Sequence, residues 1–102
     1  MKKGNNILYN GTPCKIIAIK EGVYYLQGNN TNQIYLTTKT FLKGIYITKY
    51  ILISKGFKKS LRVWLKDEIT IYNKPIHLMQ VYYYNGKRIK YVHELENIIN
   101  NG

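Results

Sequence analysis

The residue types that carry catalysis are few in this chain: His93 beside Glu94, a second histidine at His77, one cysteine at Cys14, and the adjacent carboxylates Asp67 and Glu68. A histidine–carboxylate relay needs side chains that face each other. Neighbours on a helix of 3.6 residues per turn point ~100° apart, so His93 and Glu94 diverge. Their expected roles are structural, with His93 bonding nearby backbone at a helix start and Glu94 sitting against the positive N-terminal end of that helix. A metal centre needs at least three converging ligands, which Cys14 and His77 do not supply. Two-carboxylate chemistry fares no better, because Asp67 and Glu68 are adjacent in a turn and Glu94 and Glu96 are two apart on a helix. Gly4, Gly11, Gly22 and Gly28 fall in separate turns and form no phosphate-cradling loop. The expectation is a non-catalytic protein with no cofactor and no metal.

Binding chemistry is better represented. Arg62, Trp64 and Lys66 recur at a spacing of two, on one side of a strand, and Tyr72 lies on the next strand. Tyr82, Tyr84, Arg88 and Lys90 come from a hairpin that can lie beside them. Cations of this kind hold phosphates while aromatic rings stack unpaired bases, each stack contributing ~1–3 kcal/mol. Trp64 fits equally as a second layer of core beneath a terminal helix, since large aromatics in small domains are mostly buried. Lys55, Lys58 and Lys59, around Gly56-Phe57, read singly as a solvated loop and together as a widening of the same positive patch.

The charge balance points the same way. The chain has 16 Lys and Arg against 5 Asp and Glu, a formal net charge of +11. From Gly22 to Lys66 it has no acidic residue, yet that stretch holds eight cations. Lysine, asparagine, isoleucine and tyrosine make up half of the 102 residues while arginine occurs only at Arg62 and Arg88, the signature of AT-rich coding. Such coding raises glutamate beside lysine, so it does not account for the missing acids. A small body with this potential attracts phosphate backbones or acidic protein surfaces.

The elements that must position these residues are short. At 102 residues the length prior expects one domain. Ile7–Tyr9, Cys14–Lys20, Val23–Gln27 and Gln33–Thr37 read as strands separated by Asn10-Gly11, Glu21-Gly22 and Gly28-Asn29-Asn30. They suggest an antiparallel meander or a small SH3-like barrel, closure being the economical way to remove edges. Gly44–Phe57 is β-branched enough for a strand, but Thr48 is a fair N-cap and Gly56 a fair helix stop. Leu61–Lys66 alternates strictly, and the expectation places Leu61, Val63 and Leu65 in the core. Asp67-Glu68 turns, Ile69–Asn73 returns, Lys74-Pro75 interrupts, and Ile76–Tyr84 runs to Asn85-Gly86 before Lys87–Lys90. Tyr91, Val92, Leu95, Ile98 and Ile99 then recur at helical spacing, with Asn101-Gly102 as a stop. The fold class expected is α+β: an SH3-like or small antiparallel β unit, then a β-meander with one short internal helix and a C-terminal amphipathic helix. The lone cysteine, the absence of an apolar segment after Lys2-Lys3-Gly4 and the short Tyr50–Ile53 apolar run predict a soluble protein of a bacterial cytoplasm.

Two segments, Ile47-Thr48-x-x-x-Leu52-x-x-x-Gly56-Phe57 and Ile89-Lys90-Tyr91-Val92-His93-Glu94-Leu95-Glu96-Asn97, resemble a family of small uncharacterised proteins from Bacteroidota genomes, prophages and phages. Those proteins carry I-P-L-T-x-x-x-L-x-x-x-G-F and Y-V-H-x-L-Q-N-L segments. Tyr46 stands where that family has proline, and Glu96 where it has glutamine. The resemblance implies a helix at Thr48–Lys55 and a mobile-element origin. Charge and origin together predict a protein that binds RNA, DNA or a nucleoprotein. A sharper version is a counter-defence protein, such as an anti-CRISPR, that occupies the nucleic-acid channel or guide-RNA surface of a host nuclease. The rival expectation is a phage structural or assembly protein that self-associates or meets an acidic partner.

Overall fold

The computed structural model describes residues 1–101. The chain divides into two compact units, Met1–Ile45 and the remainder from Tyr46. Each has its own five-stranded antiparallel sheet and its own buried cluster. The class is α+β, as the sequence predicts.

In the first unit β1 (Asn6–Tyr9), β2 (Thr12–Lys20), β3 (Val23–Gly28) and β4 (Ile34–Thr37) form a meander. After a 3₁₀ turn at Lys39–Phe41, β5 (Leu42–Lys43) returns to pair with β1, giving the order β4-β3-β2-β1-β5. The first hairpin follows from Asn10-Gly11, both left-handed at φ 49° and 74°, which is what a two-residue turn matched to strand twist demands. Alternation buries Ile7, Cys14, Ile16 and Leu26, with Leu42. The expected barrel does not close: the ladders run in one open series, with β4 and β5 at its edges. At two residues, β5 is too short to support a second ladder beyond the one with β1. Cys14 is fully buried, and burial pushes its thiol above the ordinary value of 9.0.

The second unit contains α1 (Lys49–Ser54), β6 (Lys58–Ser60), β7 (Val63–Lys66), β8 (Ile69–Ile76), β9 (Met79–Tyr84), β10 (Lys87–Ile89) and α2 (Val92–Asn101). Its sheet is a plain meander, β6-β7-β8-β9-β10. Helix, not strand, wins at α1 because both ends are chemically closed. The Thr48 hydroxyl accepts from the Ile51 N–H at 3.3 Å. At the other end the Gly56 N–H donates to the Ile53 carbonyl and the Phe57 N–H to the Leu52 carbonyl, each at 3.0 Å, with Gly56 left-handed at φ 93°. That is a Schellman stop, and its apolar pair, Leu52 and Phe57, sits in the core with Ile47. The T-x-x-x-L-x-x-x-G-F spacing is therefore cap, core, stop and clasp.

The segment from Ile89 to Asn97 closes the start of α2 in a related way. Glu94 Oε1 accepts from the N–H groups of Lys90 and Tyr91 at 3.0 and 3.1 Å, satisfying donors ahead of the helix. Val92 and Leu95 are buried, and Ile98 and Ile99 pack on the core. The stop expected at Asn101-Gly102 extends outside the described residues at Gly102. The two segments meet: the Ile47 N–H donates to the Lys90 carbonyl at 2.9 Å, and Lys55 Nζ pairs with Glu96 at 2.9 Å.

Three expectations are corrected here. Leu61 and Arg62 form a hairpin turn, Leu61 being left-handed and 91% exposed, and the core face of β7 is the Trp64 side; Leu65 is exposed. Trp64 is in register with Ile71, on the face that also carries Ile69, Tyr82 and Ile89, so burying one indole there outweighs burying Val63 and Leu65. Lys58–Ser60 is an edge strand rather than a loop, its lysines guarding the edge. Lys74-Pro75 does not interrupt β8, because beyond Tyr72 no ladder to β7 needs the missing N–H; the break falls instead at His77-Leu78. No helix among the described residues is long and apolar enough to cross a membrane.

Candidate functional site

A cleft of about 720 Å³ opens on the second unit between the start of α1 and the helix-facing side of the sheet. Its floor comes from central strands: Trp64 on β7, Asn73 on β8, and Tyr82 on β9, which is in register with Asn73. Trp64 and Tyr82 are each 4% exposed, and burial raises the Tyr82 phenol above its ordinary 10.0. Tyr46 and Tyr50 stand on the wall at 68% and 70% exposure. The Tyr46 ring is braced by Tyr91, at 5.3 Å between centroids and 35° between planes.

Four cationic residues, Lys49, Lys59, Arg88 and Lys90, line the cleft, and among the described residues no carboxylate does. Lys59 reaches its place because it lies opposite Trp64 on the neighbouring edge strand, with Nζ 5.8 Å from the indole ring. Lys49 Nζ lies 5.2 Å from the Tyr50 ring. The acid-free stretch read in the sequence supplies Lys49 and Lys59 from its own length.

Two polar atoms of the floor have no partner. Trp64 Nε1 and Asn73 Oδ1 are buried without a hydrogen bond. Leaving a donor or acceptor in that state costs ~1–3 kcal/mol, and most buried polar groups in folded proteins avoid it. A donor and an acceptor thus lie unsatisfied beneath one cleft, on two residues that line it.

The structure sorts the sequence-predicted site residues into three groups. Lys59, Trp64, Tyr82, Arg88 and Lys90 line the cleft, Arg88 at its β10 edge, where register with Tyr83 puts it on the far sheet face. Lys55 and Lys66 are used structurally: Lys55 pairs with the buried Glu96, and Lys66 Nζ donates to the Lys55 carbonyl at the end of α1, packing over Gly56. Lys58, Arg62 and Tyr72 lie away from it, Tyr72 on the opposite sheet face in register with Val63 and Tyr83, and Tyr84 packs against the core. Sequence reading missed Tyr46, Tyr50, Lys49 and Asn73. The signal for Asn73 was its register: two residues past Ile71, it continues the apolar face of β8 with a polar side chain.

His93 stacks on Tyr91 at 5.5 Å and 10°, and Glu94 is engaged by backbone, so the pair is held in structural contacts on separate sides. Among the described residues no three His, Cys, Asp or Glu side chains are grouped to hold a metal ion. The class this defines is a small α+β protein of two antiparallel meanders with a basic, aromatic cleft. No protein-family model, no curated protein and no solved structure matches the chain.

Proposed function

We propose that the protein binds nucleic acid, alone or within a nucleoprotein, without catalysing its turnover, and that the cleft of the second unit is the contact surface. The observation that carries this reading is the lining: four cations, exposed tyrosine rings and, among the described residues, no carboxylate around one concave site. Cations neutralise phosphates and release counterions, while Tyr46 and Tyr50 offer ring faces to unpaired bases. In a counter-defence role, a +11 protein engages the guide RNA of a host nuclease rather than that nuclease's own cationic channel, where like charges repel.

The test is binding to labelled single-stranded RNA, single-stranded DNA and duplex DNA across a salt series, with lysozyme as an equally basic control. Single-strand complexes should outlast the control's, with affinity falling on a log–log slope of about −0.7 per phosphate contacted. Binding no better than lysozyme's at every salt concentration would remove this reading. The assembly reading draws on a different observation, Ile34 and Leu36 exposed on the edge strand β4, at 45% and 58%. A large, stable homo-oligomer on sedimentation would favour it.

A further inference from the structure

The cleft contains more than a charged platform needs. Phosphate attraction and ring stacking are satisfied by exposed lysines and tyrosines, and neither has a use for an indole N–H and a carboxamide oxygen buried without partners in residues that line it. Those two atoms lie on adjacent strands, Trp64 on β7 and Asn73 on β8, both on the helix-facing side. Trp64 is more than nine-tenths buried. Neither atom is open to solvent in the cleft as it stands, so a ligand that satisfies both must press into the floor and present an acceptor and a donor there. An aliphatic ligand presents neither, and a carboxylate or phosphate presents acceptors only and repels Oδ1. The polar edge of a nucleobase presents both, on a flat body suited to an aromatic wall. The volume, about 720 Å³, falls within the range of roughly 300–1,000 Å³ typical of sites that enclose small molecules.

We propose that the cleft takes one unpaired nucleotide of a single strand, its base edge read by Trp64 Nε1 and Asn73 Oδ1 and its flanking phosphates held by Lys49, Lys59 and Lys90. The proposal rests on the nucleic-acid reading above and deepens it: it makes the protein base-selective, whereas a basic surface alone is indifferent to sequence. Tyr46 and Tyr50, on the wall, cover the neighbouring base.

Trp64 is the only tryptophan, so its fluorescence reports on this cleft and nowhere else. Full-length protein is titrated with homopolymers of A, C, G and U about eight nucleotides long, a length within the site sizes of single-strand binders. Salt is set just above the point at which lysozyme lets go. Saturable quenching of Trp64, with one base favoured by about tenfold or more, is the expected result. Asn73→Ala should erase that preference while retaining the salt-dependent component of binding. Wild-type quenching and base preference test the idea even if that variant misfolds. Strands that bind without quenching Trp64 and without base preference would overturn the base pocket and leave the nucleic-acid reading standing. Strands that do not bind beyond the control remove both. Free mononucleotides binding as tightly as the strands would overturn the assignment to a strand.

Discussion

Trp64 has two tasks that pull in opposite directions. Its ring is core, in register with Ile71 and packed with Leu52 and Leu95, while its N–H is left without a partner at the cleft wall. Trp64→Ala should therefore destabilise the second unit by about 3–5 kcal/mol, measured by urea unfolding. Trp64→Phe keeps most of the apolar volume and should fold while losing base preference. Lys66, which reads in sequence as a free cation, bonds the end of α1, so charge reversal there tests folding before it tests binding. Glu96 is a similar case. Glu96→Ala should cost about 1–3 kcal/mol by stranding the part-buried Lys55, and Glu96→Gln should cost less because an acceptor oxygen remains. Burial raises both Tyr82 and Cys14, so the unfolded chain ionises first as pH rises. The stability they contribute is full below 9.0 for Cys14 and below 10.0 for Tyr82, and is lost as pH rises through the raised values. Urea midpoints should thus hold steady around neutral pH and fall in alkaline solution.

At the scale of elements, the helices exist because of their ends. With six residues, α1 is too short to persist on propensity alone, and it holds through the Thr48 cap, the Gly56 stop and the burial of Leu52. Thr48→Ala should cost ~0.5–2 kcal/mol. Gly56→Ala should cost ~1–2 kcal/mol, because φ 93° is a left-handed backbone and not because of crowding: an added Cβ would meet only the end of Lys66 at 3.5 Å. Both are read from thermal or urea unfolding. Because α1 sets the position of Tyr46, Lys49 and Tyr50 relative to the sheet, each variant should also weaken single-strand binding. Caps, turns and stops of this kind were legible in the sequence because each is settled within about five residues, as at Asn10-Gly11 and Asn85-Gly86. The choice of sheet face was not legible. Strict alternation from Leu61 to Lys66 offers two faces of similar apolar content, and local pattern carries no record of which one the helices cover.

For the whole molecule, two units with separate sheets and separate clusters imply that the cleft belongs to residues from Tyr46 onward. A fragment beginning at Tyr46 should retain the base preference of the full chain, checked by the same fluorescence titration. Charge acts at this scale too. Replacing Lys49, Lys59 and Lys90 together by glutamine should flatten the log–log salt slope by about 2, from three phosphate contacts at roughly 0.7 each, with little change in the unfolding midpoint.

By itself the sequence determined the class of the fold, the hairpins at Asn10-Gly11, Glu21-Gly22 and Asn85-Gly86, the C-terminal helix and the positive potential, since these follow from local backbone chemistry and from net charge. Tertiary structure alone decided that Trp64 faces inward, that Lys55 and Lys66 are bound to the frame, that the first sheet stays open, and that Asn73 lies beside Tyr82 in a cleft. Those outcomes depend on which strands lie side by side and which face the helices cover, and pairing between distant segments is an energetic choice that no short stretch of residues can make.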